Sequence, residues 1–217
     1  MDEIEASDWA PETLAVRTGQ ERSQYGEHSE ALFLTSSFVF KNAAQAAARF
    51  SGAEPGNVYA RFTNPTVTSL QQRLAALEGA EDCIATASGM SAIMATVMAL
   101  MNSGQHIVAS RSIFGATQQL FGNLLPRFGI ETTFVDGANL GDFSAALRPS
   151  TRLVFIESPS NPLTELVDIA ALAKITRAHG SLLVVDNCFC TPAMQLPLLL
   201  GADLVDRKST RLNSSHG

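Results

Sequence analysis

Residues 152–187 read RLVFIESPSNPLTELVDIAALAKITRAHGSLLVVDN. The two ends, RLVFIES (152–158) and SLLVVDN (181–187), are apolar runs that do not alternate with polar residues. Strands of that kind are buried on both faces, which is the habit of parallel sheets. Between them DIAALAKITRAHG (168–180) reads as a helix. Strand, helix and strand joined by short links make the β-α-β unit of an α/β protein, with its right-handed crossover.

The same alternation extends upstream. HIVAS (106–110) and ETTFVD (131–136) are predicted strands, and GATQQLFGNLL (115–125) and GDFSAALRP (141–149) are predicted helices. Before them CIATA (83–87) is predicted as a short buried strand feeding a helix over SGMSAIMATVMALMNSG. NPTVTSLQQRLAALEG (64–79) is a helix with clear punctuation: Asn64 as N-cap, Pro65 at the first helical position and Gly79 at the stop. Leu70, Leu74 and Leu77 share one of its faces. Residues 1–60 read as an irregular polar arm with one β-prone run, LFLTSSFVF (32–40). The expected fold is α/β, a mostly parallel sheet with helices on both faces, spanning residues 61–205.

Composition narrows the function. The 217 residues are 46% hydrophobic with a net charge of -6, which suits a globular core and argues against non-specific binding to nucleic acid. Cys83 stands apart from Cys188 and Cys190, and His28, His106, His179 and His216 are scattered, so no zinc-ligand spacing exists. Few cysteines suit a reducing cytoplasm. The acidic N-terminus lacks a signal core, and the longest apolar stretch, GMSAIMATVMALM, falls short of the roughly 20 residues of a bilayer span. A cytoplasmic protein away from the membrane is expected.

In an open α/β sheet, ligands bind beyond the carboxyl ends of the strands. After CIATA come Ser88, Gly89 and Met90, either plain turn chemistry or a helix N-terminus whose N–H groups bind an anion. After RLVFIES, Asn161 sits between two prolines, as a turn residue or a fixed amide. Asp186 ends SLLVV, as a cap or surface turn or as a carboxylate that holds a cationic atom. Phe114 after HIVAS is a core ring or a flat binding face. Together they suit a planar, phosphorylated, cationic heterocycle, and pyridoxal 5'-phosphate fits, with the acid keeping the ring nitrogen protonated. No dinucleotide-binding or P-loop glycine pattern occurs.

NVYARFTNPT (57–66), ATASGMSAI (85–93), FIESPSNP (155–162) and VVDNCFCTP (184–192) resemble the Cys/Met-metabolism family of pyridoxal-phosphate enzymes. That family holds cystathionine γ-synthase, γ-lyases and homoserine-ester sulfhydrylases. The likeness runs from about Thr13 to Val205 and implies the large domain of fold type I, lacking its C-terminal portion. TLAVRTG (13–19) and SRSIFGATQQLF (110–121) favour the sulfhydrylase branch, hence replacement at the γ-carbon of O-succinylhomoserine, an amino-acid ester, by sulfide to give homocysteine. The resemblance implies that Gly89 and Met90 bind the cofactor phosphate through backbone N–H groups and that Phe114 stacks on the ring. Asn161 would bond the ring hydroxyl oxygen and Asp186 the pyridinium nitrogen. Tyr59 and Arg61 would reach the phosphate of a neighbouring subunit in a homotetramer. Many members carry tyrosine where Phe114 stands; the lost hydroxyl tilts the reading away from the lyases.

The chain closes on GADLVDRKSTRLNSSHG, where the family continues into a segment resembling Ile-His-Ser-Ala-Thr-Lys-Tyr. Without gaps, Thr210 meets the threonine and Arg211 the lysine that carries the cofactor; a guanidinium cannot supply a neutral amine. Lys208 lies three residues early. DRKSTRLNSSH can be encoded by a string that looks like a sequencing-library adapter read in frame, so residues 206–217 are expected to be a non-native tail. On that reading the chain as written carries no catalytic residue.

Overall fold

The computed structural model describes residues 9–208. The chain divides into two compact units, one ending at Ala85 and the other starting at Thr86, whereas the arm read from sequence ends at residue 60.

The first unit holds three helices: α1 (Pro11–Arg17), α2 (Ala43–Phe50) and α3 (Pro65–Glu78). The expectation of an irregular arm is corrected by α1 and α2. Asn42 caps α2 by accepting the Gln45 N–H, and an alanine-rich run carries the helix onward. At α3 the sequence punctuation holds: Asn64 accepts the Thr66 N–H at 2.9 Å, Pro65 is first in the helix, and Gly79 is left-handed at φ 66°. The Asn64 amide also donates to the Phe33 carbonyl, so the cap anchors the segment around residue 33. LFLTSSFVF forms no strand; Ser37 makes one antiparallel bridge to Tyr59. The segment's backbone bonds are isolated ones, from Phe38 N–H to the Val58 carbonyl and from Ala60 N–H to the Ser36 carbonyl, and do not extend into a ladder.

The predicted strand at Cys83–Ala87 is likewise absent. Ile84 is 80% exposed and the segment has no ladder partner among the described residues. Apolar composition alone does not make a strand where no sheet edge receives it.

The second unit is the parallel sheet. Its elements run α4 (Gly89–Leu100), β1 (His106–Ser110), α5 (Gly115–Gln119), β2 (Glu131–Val135), α6 (Leu140–Ala146), β3 (Thr151–Glu157), α7 (Ile169–His179), β4 (Leu182–Asp186) and β5 (Leu204–Asp206). α5 continues through a π turn at Leu120–Leu124 and a 3-10 turn at Leu125–Phe128. The strand order is β2-β1-β3-β4-β5, and every pair is parallel. β5 was not anticipated.

The unbroken apolar runs follow from two cores. Ile107, Ala109, Leu153, Phe155 and Val184 face one side with Ile93 and Val97 of α4 and Leu120 and Phe121 beyond α5. Val108, Val154, Ile156, Leu183 and Val185 face the other with Phe143 of α6 and Ile169 and Leu172 of α7. Successive residues alternate faces, and both faces are covered, so residues 107–109, 153–156 and 183–185 are apolar without a break. Phe121 meets Phe155 edge-on, with centroids 5.1 Å apart and planes at 84°.

Candidate cofactor site

The chain leaves β1 for β2 on one side and returns to β3 on the other, so the topological switch point lies between β1 and β3. The crevice at such a point, beyond the carboxyl ends, is where this architecture binds ligands. Phe114 follows β1 and Asn161 follows β3, one on each side of it.

Gly89 and Met90 open α4. Ser88 and Ser91 form a reciprocal capping box, in which Ser88 Oγ accepts the Ser91 N–H at 3.2 Å and Ser91 Oγ accepts the Ser88 N–H at 2.9 Å. Ala92 N–H already bonds the Ser88 carbonyl. The first-turn donors left over by helix geometry are therefore those of Gly89 and Met90. A Cβ placed on Gly89 would meet only Lys208 Cβ, at 3.8 Å, so the backbone there is open and lies beside the end of β5. Thr117 Oγ1 donates to Met90 Sδ at 3.8 Å, tying α4 to α5. An open apolar groove of about 460 Å³ between these helices is lined by Met90, Met94, Leu120 and Leu124, with no strand-end carboxylate in its lining.

Phe114 is 46% exposed, so its ring is a presented face rather than part of the core. Its loop is tied by Gln118 Nε2, which donates to the Arg111 carbonyl at 2.7 Å and the Ile113 carbonyl at 3.0 Å. Asn161 is exposed in a loop with cis peptides at Ser158–Pro159 and Asn161–Pro162. That loop closes on itself, since Ser158 Oγ accepts the Val167 N–H and Ser160 Oγ the Glu165 N–H, both at 3.1 Å.

Asp186 is 6% exposed at the end of β4. It accepts the Cys188 N–H at 3.1 Å and a bond from the Cys188 thiol, yet burial pushes its pKa up. A buried carboxylate whose charge is under-compensated is suited to a cationic partner. Gln195 joins the loops after β3 and β4, donating to the Ser158 carbonyl at 2.7 Å and Asn187 Oδ1 at 2.8 Å. Together these groups fit an anion at α4, a flat ring against Phe114 and a ring cation at Asp186.

Two acidic residues escaped the sequence reading. Glu157 of β3, Asp186 of β4 and Asp206 of β5 stand opposite one another in register. Burial and the neighbouring Asp186 raise both Glu157 and Asp206 to about 7. Burial also raises the Cys188 thiol, and ligand atoms of Asp186, Cys188 and Asp206 lie within 4.8 Å of one another. The signal was available for Glu157: like Asp186, it is an acid closing an apolar strand.

Tyr59 and Arg61 belong to the first unit. The Arg61 guanidinium lies 5.0 Å from the Tyr59 ring centroid and 5.3 Å from that of Phe62. Thr210 and Arg211 lie outside the described residues. Lys208 is exposed, and its N–H donates to Cys188 Sγ at 3.0 Å.

A parallel sheet of this order, packed with helices, is the large domain of a fold type I pyridoxal-phosphate enzyme. The family model for the Cys/Met metabolism PLP-dependent enzyme matches residues 12–216, and the chain belongs to that family. It is 59% identical to the O-succinylhomoserine sulfhydrylase of Pseudomonas aeruginosa over 95% of this chain and 51% of that protein. It is 41% identical to an L-methionine gamma-lyase of Fusobacterium nucleatum over 94% of this chain and 52% of that one. The chain thus spans about half the length of the curated relatives it matches. A solved Campylobacter jejuni structure, assigned as an O-acetylhomoserine (thiol)-lyase and holding a pyridoxyl-lysine phosphate, superposes with a TM-score of 0.89 at 34% identity. That superposition covers 93% of this chain and 50% of the other. Among the described residues no helix is long and apolar enough to cross a membrane.

Proposed function

We propose that the protein carrying this chain replaces the γ-substituent of O-succinylhomoserine with sulfide to give homocysteine, using pyridoxal phosphate. The observation that carries the cofactor half is the presence of two open first-turn N–H groups at α4, beside the end of β5, together with a buried, cation-seeking acid at the end of the neighbouring β4. The substrate half rests on the 59% identity to a relative named for that reaction.

Bound there, pyridoxal phosphate supplies an electron sink for a substrate carbanion. Gly89 and Met90 hold the phosphate by their N–H groups, helped by the positive end of α4. Phe114 lies against the ring and keeps water from that face. The Asn161 side chain donates to the ring hydroxyl oxygen. Asp186 holds a proton on the ring nitrogen, which is the role its burial prepares. Tyr59 and Arg61, sharing a cation–π contact, serve the phosphate of a neighbouring subunit in a homotetramer. Exposed Leu34, Val39 and Phe62 in the same unit supply apolar surface for that assembly.

Assay of the full-length protein with O-succinylhomoserine and sulfide tests this reading. Homocysteine formation is expected; γ-elimination from methionine with no sulfide-dependent product overturns it in favour of a γ-lyase. That second reading draws on the 41% identity to a relative so named. For the chain as written, the sequence places Arg211 on the lysine position, and we read it as able to bind the cofactor without turnover. Borohydride reduction in the presence of pyridoxal phosphate checks this: a stable pyridoxyl adduct at Lys208 refutes it.

A further inference from the structure

We propose that Glu157 is the positioning residue of the site, a clamp that sets the Phe114 face and the Asn161 amide at a fixed place beside Asp186. This rests on the cofactor reading above. Glu157 lies in β3, the strand between β1 and β4 at the switch point. Its Oε2 accepts the backbone N–H of Phe114, which follows β1, and its carboxylate also accepts the backbone N–H of Asn161, which follows β3. Its register partner on β4 is Asp186. A single carboxyl thus ties together both loops flanking the crevice and stands in register with the acid that closes β4.

The need for such a clamp is physical. A phenyl ring has no polar handle, so the place of an exposed phenylalanine is set by its backbone. Gln118 anchors that loop at Arg111 and Ile113, and its backbone N–H donates to the Phe114 carbonyl at 3.0 Å, while the Phe114 N–H is held by Glu157. On the other side the internal bonds of the SPSNP loop start from Ser158 and Ser160, and Asn161 is reached by Glu157. A carboxyl accepting N–H bonds is a directional anchor, and above about pH 7, where Glu157 is ionised, those bonds are charge-assisted as well. Glu157 is 5% exposed, so water does not compete for those bonds. A cofactor ring needs its aromatic face, its hydroxyl partner and its nitrogen partner within a fraction of an ångström of one another, and such precision comes from supporting groups.

Pyridoxamine 5'-phosphate is the probe, because it binds without a lysine bond. Three readouts are taken on the chain with Glu157→Gln: amide hydrogen exchange, probe affinity, and circular dichroism induced in the bound chromophore. Exchange at the Phe114 and Asn161 amides is expected to rise about tenfold, while amides inside β1 and β3 keep wild-type rates. Affinity is expected to fall about tenfold and the induced dichroism to drop. Paired with Phe114→Ala, the affinity effect of Glu157→Gln is expected to shrink, since it acts partly through that ring. A residue that supports the fold alone would move none of these locally. Unchanged exchange at both amides, or affinity effects that add in full, overturns the clamp. Failure of the wild-type chain to bind the probe overturns the cofactor reading instead, and amide exchange still decides the clamp.

Discussion

Glu157→Gln should change how stability depends on pH, with a sign and a size that the structure sets. Burial and the adjacent Asp186 lift the Glu157 carboxyl from 4.5 to about 7, against the downward pull of the Phe114 and Asn161 N–H groups. The folded chain therefore holds this proton more tightly than the unfolded chain. Stability from the group is full below pH 4.5 and is lost as pH rises through about 7. At about 1.4 kcal/mol per tenfold in proton affinity, the swing is about 2–3 kcal/mol, since part of it depends on the charge on Asp186. Glutamine has no proton to lose, so the stability of the variant relative to wild type should rise by that amount from pH 4.5 to pH 8.

The comparison between the two proteins is essential, because other groups titrate in the same window. Asp186 and Asp206 are also raised and lose stability with the same sign as pH rises. His106 works in the opposite direction. Its pKa is lowered by burial and by Arg148, partly offset by Glu131, so its contribution is lost as pH falls below 6.5. Urea denaturation at half-unit pH steps, extrapolated to water for both proteins, isolates the Glu157 part. A stability difference that stays constant from pH 4.5 to pH 8 would refute the buried-acid account of this residue.

Three further outcomes are expected. Asp186→Asn keeps the volume and the Cys188 N–H contact but removes the anion; binding of pyridoxamine 5'-phosphate should weaken about 10- to 100-fold by absorbance titration, as for the loss of a charge-assisted bond. Phe155→Ala, at a fully enclosed site against Phe121, should cost about 3–5 kcal/mol in chemical denaturation; a loss below about 1 kcal/mol would contradict the packing described. His106, bonded through Nδ1 to Thr151 and through Nε2 to Thr133, both at 2.8 Å, should titrate below 6.5 in a histidine proton NMR series, and an ordinary midpoint would count against its burial.

The sheet was legible because its faces leave a mark on every residue. Ile107 and Ala109 serve one core and Val108 the other, so an uninterrupted apolar run in HIVAS already implied two covered faces. The α3 boundaries were legible because Asn64 and Gly79 act within their own turn. CIATA carried the same apolar composition as a strand and still failed, because a ladder needs a neighbouring edge that composition does not reveal. α2 was missed although Asn42 and the alanines that follow are helix signals.

The same division separates the site residues that were found from those that were not. Asp186 stands out within its own strand, and Gly89 within its own turn, so each could be read alone. Glu157 acts on the N–H groups of Phe114 and Asn161, residues on two different loops. Its partners become visible only once β1 and β3 are known to be neighbours, with the chain reversing direction between them. Asp206 is harder still, because it sits in the first residues of a segment that looks foreign and gains meaning only from its register with Asp186. An acid closing a buried parallel strand is costly wherever it occurs, so each such residue requires either a proton, a hydrogen-bonded neighbour or a bound cation. Applied evenly to every strand end, that requirement selects Glu157 from FIESPSNP as readily as Asp186 from VVDN, and what only the fold adds is that the two acids stand in register on neighbouring strands.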